Sequence, residues 1–335
     1  MITMTEIAKM VGVSQATVSR VLNGNGSVNS EVKRKVLDCA KEQDYQPNIM
    51  AQSLVGNKTF LLGVIVTDIG NPFFADLVKA IEKEAGVKGY SLMLFNTDYD
   101  MEKEEKYLSI LKRYRADGVL LVPTAEGDSY VNKLKKYDIP MVSITMDLKE
   151  IDSVFISHYM AGEKVATHML NMGFDSFIFA GGKEDQKEKG FKNELEKNEI
   201  DMVNHYFSIY YRQQEELKQQ LKKRLEEEKN TGGVGIFANN DILALNILEI
   251  LRELKVKVPE DVALVGFDNT FLAKIISPTL TSVAQPIEEM GRLGVERIVE
   301  LINEKQDEYV RYQLETRLVT RESTIKAKRK TTKSL

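Results

Sequence analysis

The sequence predicts an α/β chain in which a small all-α head precedes two lobes of doubly wound parallel sheet. Two observations carry this. Residues 1–58 read as short helices separated by Gly/Asn-rich loop signals, and from Phe60 onward apolar runs alternate with amphipathic helical stretches. Charge follows the same division. Residues 1–58 hold seven Lys/Arg and five Asp/Glu, whereas 59–325 hold 34 basic and 45 acidic residues, so a whole-chain charge of −4 hides a mildly basic head on an acidic body. A polyanionic partner is therefore expected for the head alone.

The head opens on Thr3-Met4-Thr5-Glu6, a capping-box pattern with Thr3 as N-cap, and Ile7, Ala8 and Met10 supply the apolar face. Gly12 breaks this first helix. Ser14 caps a second, Gln15 to about Leu22, with Ala16, Val18, Val21 and Leu22 available for packing. Asn23-Gly24-Asn25-Gly26 is a loop signal, and Asn29 caps a third helix of about 30–43 with Val32, Val36, Leu37 and Ala40 on one face. Two helices joined by a tight Gly-containing turn form the helix-turn-helix pattern. The second helix offers Gln15, Thr17, Ser19 and Arg20, residue types that can reach base edges in a major groove. An ordinary three-helix unit with a polar outer face fits the same residues.

Residues 45–58, YQPNIMAQSLVGNK, form a separate unit. Pro47 restricts the residue before it, Asn48 caps a short helix running to Val55, and Gly56 ends that helix. Leu54 is apolar on an otherwise mostly polar segment too short to be stable alone.

Strands are expected at 61–66, 91–96, 118–123, 140–144, 176–181, 233–238 and 262–267, with helices at 74–88, 101–115, 161–172, 213–229 and 241–255 among those between them. Such alternation implies right-handed crossovers and a ligand bound outside the carboxyl ends of the strands, between the lobes. Asn239-Asn240-Asp241 and Asp268-Asn269 follow strands and could meet a ligand there, though Asn240 or Asp241 also suits a helix N-cap. The chain has no Gly-rich dinucleotide or phosphate loop, no nucleophile elbow and no His-Glu-x-x-His, so no cofactor or catalysis is expected. One cysteine, Cys39, and three dispersed histidines exclude a disulfide and leave no metal site in prospect. No apolar run reaches the roughly 18 residues that span a bilayer, and no secretory leader opens the chain, so a cytoplasmic location is expected.

TMTEIAKMVGVSQATVSRVLNG (3–24) followed by YQPNIMAQSLVGNK (45–58) resembles the lactose-repressor (LacI/GalR) family of transcription regulators. The similarity continues through LLGVIVTDIGNPFFADLV (61–78), RADGVLLVP (115–123), FANNDILALNIL (237–248), VPEDVALVGFDNT (258–270), LTSVAQPIEEMG (280–291) and TRLVTREST (316–324), covering nearly the whole chain in order. The resemblance implies a homodimer on a pseudo-palindromic DNA operator, a core like that of periplasmic binding proteins, and a small-molecule effector (a sugar, sugar phosphate or sugar acid) or a protein corepressor. It divides the chain into a helix-turn-helix domain (1–45), a hinge helix and linker (46–59), an effector-binding and dimerisation core (60–325) and a basic tail, 326–335, expected to be disordered. Within the core the N-lobe would take about 60–157 and 287–314, the C-lobe about 158–284 and 315–325.

Residue by residue, the resemblance assigns base reading to Gln15, Ala16 and Arg20, and phosphate contacts mainly to Ser14, Thr17 and Ser19, with Thr3 and Asn23 also at the DNA. Residues 48–56, with Asn48 and Ala51, match the hinge helix, and Leu54 matches a leucine wedge in the central minor-groove step. Effector contacts fall to Asn71, Phe73, Phe74, Thr145, Lys187, Asn240, Asp268 and Gln285. The sequence departs from the family at Thr145, where an Asp is usual, at Lys187, where an Arg is usual, and at Ser157-His158 in place of a common Asp-Asn pair. Lysine lacks arginine's bidentate fork. An ammonium in a partly desolvated cleft also needs an anion nearby, so an anionic effector is expected over a neutral sugar. A solute-binding protein of a transport system and a regulator switched by a protein partner are the alternatives.

Overall fold

The computed structural model describes residues 2–22, 28–45, 58–210, 213–227, 233–304 and 308–325. The chain divides into two compact units, 1–59 and 60–335. The expectations placed on Asn23, Asn48, Ala51, Leu54 and the tail 326–335 lie outside the described residues.

The first unit contains α1 (Met4–Val11), α2 (Gln15–Leu22) and α3 (Ser30–Glu42). Thr3 and Glu6 complete a reciprocal capping box, and Gly12 ends α1 at φ 73°, a left-handed conformation that glycine adopts without steric penalty. Ile7, Ala8, Val18, Val21, Val36 and Ala40 form the core. Three residues expected in this core are exposed: Met10, Leu37 and Ala16. The reason is helical phase. The buried stripe of α1 runs Met4, Ile7, Ala8, Val11, and that of α3 runs Val32, Val36, Cys39, Ala40, so Met10 and Leu37 fall off these stripes.

The second unit holds two six-stranded sheets. The first comprises β1 (Leu61–Val66), β2 (Ser91–Asn96), β3 (Gly118–Leu121), β4 (Met141–Thr145), β5 (Asp152–Ile156) and β11 (Arg311–Leu314), ordered β11-β5-β4-β3-β1-β2 and parallel throughout. The second comprises β6 (Ser176–Gly181), β7 (Tyr206–Tyr210), β8 (Val234–Ala238), β9 (Val262–Asp268), β10 (Thr281–Ala284) and β12 (Arg317–Val319), ordered β12-β10-β9-β8-β6-β7, with only β12 antiparallel. The chain thus passes between the sheets three times, after β5, after β10 and after β11. Central strands β3, β4, β6, β8 and β9 are buried at every position, while the edge strand β2 is not. This is the pattern of a parallel sheet covered on both faces by helices.

The helices of this unit are α4 (Pro72–Val87), α5 (Met101–Arg113), α6 (Asp128–Lys135), α7 (His158–Asn171), α8 (Gln186–Lys197), α9 (Gln214–Glu227), α10 (Asp241–Glu253), α11 (Leu272–Ile275) and α12 (Ile287–Asn303). Helix α12 packs over β3, β4 and β5 and against α4. Its buried Arg297 donates from Nε to Asp152 Oδ1 at 2.6 Å, and from NH1 to Glu300 at 2.9 Å. Helix α8 begins inside the charged run 183–189. Asp185 caps it, and Phe191 and Leu195 are buried beneath it.

Candidate functional site

Two surfaces carry chemistry. In the head, α2 presents Gln15, Ala16 and Arg20 to solvent, with Thr17 and Ser19 partly covered. Ser14 accepts the Thr17 backbone N–H at 3.1 Å, and the two hydroxyls lie 2.9 Å apart. Thr3 gives both its donors to Glu6, from N at 2.8 Å and from Oγ1 at 2.9 Å. These hydrogen bonds, backbone first, hold the Glu6 carboxyl below its usual range. Thr3 is thereby committed to the cap. The groups offered outward by α2 are an amide, a methyl and a guanidinium, suited to adenine, thymine and guanine edges respectively.

The second surface is a cleft of about 330 Å³. It collects the residues that follow strand ends in both sheets, as expected of doubly wound sheets. All eight residues expected at an effector line it: Asn71, Phe73, Phe74, Thr145, Lys187, Asn240, Asp268 and Gln285. The helix-capping role of Asn240 is also real, since its side chain accepts the Leu243 N–H at 2.8 Å at the start of α10. Asn71 likewise caps α4 by accepting from Phe73 N at 3.0 Å.

The polar centre of the cleft is Asp268, at the end of β9. Gln285 donates to its Oδ1 at 2.7 Å, and Asn71 donates to its Oδ2 at 3.4 Å. Asn71 belongs to α4, beside the first sheet, so this contact joins the lobes across the cleft. Burial raises the Asp268 carboxyl above its usual range, and the nearby Lys187 charge opposes that rise. Among the described residues the Gln285 Oε1 atom is buried without a partner, an acceptor for which a donor is wanted. Asp268, Asn269 and Thr145 all sit at positive φ, at 98°, 51° and 77°. Such conformations cost about 1–3 kcal/mol each and persist where the surrounding structure over-determines them.

Lys187 Nζ lies 3.8 Å from Asp185 Oδ2 and 4.6 Å from the centroid of Phe267. The ammonium therefore has an anion and an aromatic face supplied by the chain itself. His158 stacks near the same ring, its centroid 5.8 Å away, and burial followed by the Lys187 charge lowers its pKa to about 3. It is a neutral hydrogen-bonding group at ordinary pH. Glu188, next to Lys187, is buried and accepts from the hydroxyls of Tyr206, Ser208 and Tyr210 along one face of β7. That fork fixes the first turn of α8 and hence the placement of Lys187.

Sequence reasoning assigned no effector contact to His158, Asp185, Phe267 or Tyr99, which also line the cleft, as does Asn239, read from the sequence as a residue past a strand that could meet a ligand. His158 stands two residues past β5, in the pair where the sequence departs from the family, and Asp185 is the fourth residue past β6, behind Lys183 and Glu184. Tyr99 reaches the cleft through two positive-φ residues after β2, which no periodicity reveals. Among the described residues, no group of His, Cys, Asp and Glu could hold a metal ion, and no helix is long and apolar enough to cross a membrane.

Residues 3–48 match the model of bacterial regulatory proteins, lacI family, and 166–324 match a periplasmic binding protein-like domain. The HTH-type transcriptional regulator DegA of Bacillus subtilis is 35% identical over 304 residues, covering 86% of this chain and 88% of that protein. The chain belongs to the lacI family of bacterial regulatory proteins. Another relative, the ribose operon repressor of Halalkalibacterium halodurans, is 35% identical over 332 residues and covers 97% of each chain. Among solved structures, a LacI family transcriptional regulator from Enterococcus faecium with bound ribose superposes with a TM-score of 0.67 at 27% identity, covering 78% of this chain and 98% of that one. This lacI-family chain is accordingly a DNA-binding transcription regulator, with a helix-turn-helix head and a two-lobed, periplasmic-binding-protein-like core. The transport-protein alternative is set aside by the match of the head.

Proposed function

We propose that this regulator represses a carbohydrate operon, binding its operator as a homodimer in the cytoplasm, and that a neutral, polyhydroxylated ligand of monosaccharide size in the cleft switches it. The observation that carries this reading is the hydrogen bonding of Asp268. A buried carboxylate with an amide donor from each side is well placed to accept a pair of sugar hydroxyls, while Gln285 Oε1 accepts another. The cleft volume of about 330 Å³ is near the lower end of the roughly 300–1,000 Å³ usual for ligand pockets. Two relatives, named for a ribose operon and solved with ribose, support the same ligand class.

Lys187 argues for a neutral ligand once its surroundings are considered. The expectation of an anionic effector rested on the need of a desolvated ammonium for a counter-charge. Asp185 at 3.8 Å supplies it. A second anion would have to share that lysine, with Glu184, Asp185, Glu126 and Asp268 also lining the cleft.

The switch follows from the Asn71–Asp268 contact. A hydroxyl that takes Asp268 Oδ2 competes with Asn71, and the hydrogen bond between lobes is replaced by one through the ligand. Genomic binding-site selection with the purified protein, followed by calorimetry against neutral sugars, sugar phosphates and sugar acids, tests the proposal. An operator beside sugar-utilisation genes and tight binding of a neutral sugar are expected. Binding of sugar phosphates alone would overturn the neutral-ligand reading, and failure of the whole panel would favour a protein partner.

A further inference from the structure

Asp241 follows Asn240 at the start of α10, is fully buried and does not line the cleft. Its side chain accepts from Thr270, two residues past the cleft carboxylate, and from Ser282 on the neighbouring β10. Thr270 donates to Oδ2 from its backbone N at 2.6 Å and from Oγ1 at 2.9 Å. Ser282 on β10 donates to Oδ1 at 2.6 Å, and Ser282 Oγ in turn accepts the Asn269 N–H at 2.9 Å. Arg321 closes the same turn from the other side by donating to Asn269 Oδ1. Gly266 makes the approach possible, since a Cβ there would lie 2.4 Å from Asp241 Oδ1. The held segment is the one forced into positive φ, at Asp268 and Asn269. Such backbone persists only where its surroundings over-determine it.

We propose that Asp241 is a positioning residue for effector recognition: through Thr270 and Ser282 it holds the 268–270 turn so that the Asp268 carboxylate faces Asn71 and Gln285. This rests on the reading of the cleft as the effector site. It adds that affinity depends on a residue one layer behind that site. The same contacts couple two strand ends, because Asn240 and Asp241 are neighbours on α10 while Asp268 and Thr270 flank the end of β9. The cleft's polar groups from β8 and β9 are thus set in one register by one carboxylate.

The experiment uses the full chain in three variants: Asp241→Ala, Asp241→Asn and Ser282→Ala. Crystal structures report where the Asp268 carboxylate lies, and calorimetry with D-ribose as the probe reports affinity. In Asp241→Ala the Asp268 side chain should leave Asn71 and Gln285, with both sheets unchanged and ribose affinity lowered tenfold or more. Ser282→Ala, which cuts the link to Asn269 without removing a carboxylate, should give a smaller loss. Asp241→Asn keeps an acceptor for Thr270 and can turn its amide to Ser282 Oγ, so it should retain ribose binding within about threefold and keep Asp268 in place. An Asp268 carboxylate that keeps both contacts in Asp241→Ala and Ser282→Ala would overturn the proposal. If the unaltered protein binds no ribose, the choice of that sugar is at fault, and the position of Asp268 in the variants still decides. If Asp241→Ala does not fold, Ser282→Ala carries both readouts.

Discussion

Gly190 on α8 packs directly on the backbone of Tyr159 on α7: a Cβ at position 190 would stand 1.9 Å from the Tyr159 carbonyl oxygen. Gly162 on α7 makes the reciprocal approach, with its virtual Cβ 2.0 Å from the Lys187 carbonyl oxygen. Two side-chain-free positions let these helices meet backbone to backbone. Their N-terminal turns carry His158 and Lys187, and the close crossing is what brings both to the Phe267 ring.

Gly190→Ala should therefore destabilise the core by at least the roughly 1–3 kcal/mol typical of overpacking, because the obstructing atoms are backbone and cannot rotate away. Urea unfolding measures it. Gly182→Ala is the control, since nothing lies within 4 Å of its virtual Cβ. Equal stability of Gly190→Ala and Gly182→Ala would show that the helices separate at no cost.

The head should read sequence through α2. Arg20→Ala is expected to lose about 1–3 kcal/mol of operator affinity if the guanidinium makes a bidentate base contact, and to relax selectivity at one position. Gln15→Ala should relax a different position. Selection from a randomised operator library gives both outcomes, and preferences identical to those of the unaltered protein would refute the assignment.

Asp241 should give the folded state a pH dependence of definite sign. Burial, with the Asp268 charge next, raises its pKa to about 7, above the roughly 3.9 of an unfolded chain. Arg321, Lys187 and Asp268 are the charged groups around this pair. The folded state then binds more protons than the unfolded one between about pH 4 and pH 7, so its stability falls as pH rises through that window. Thermal unfolding across this range should show a downward slope that is shallower in Asp241→Asn. An unchanged slope would mean that the carboxylate is ionised throughout.

Lys187→Met tests the ligand class from the protein side. A neutral sugar should bind the variant with a modest loss, traceable to the stacked Phe267, because the lysine is balanced by Asp185 and not by the ligand. Calorimetry on the variant reads this. A loss of a hundredfold or more, confined to phosphorylated sugars, would return the anionic effector.

The sequence by itself determined the alternation of strands and helices, the head with its capping box, and Asn240 and Asp268 as polar residues past their strands. Each is a local signal: a period, a cap, or a polar residue just past an apolar run. The other six cleft residues were reached through the family resemblance. The charged run from Lys183 to Lys189 shows where local reading stops. Its six charges in seven residues carry no apolar period, yet Asp185 caps a helix there, Glu188 is buried under three hydroxyls, and Lys187 is covered by Phe267. For Glu188 and Lys187, partners at separations of 18 to 80 residues set those environments, and no periodicity encodes them. The strands β5, β7, β10, β11 and β12 are likewise too short or too mixed in character to stand out, and they become strands because a neighbouring strand is there to pair with. Tertiary structure alone decided that Asp268 is held by Asn71 from the opposite lobe and by Asp241 from behind. A carboxylate's partners and its charge depend on what the fold places within a few ångströms of it.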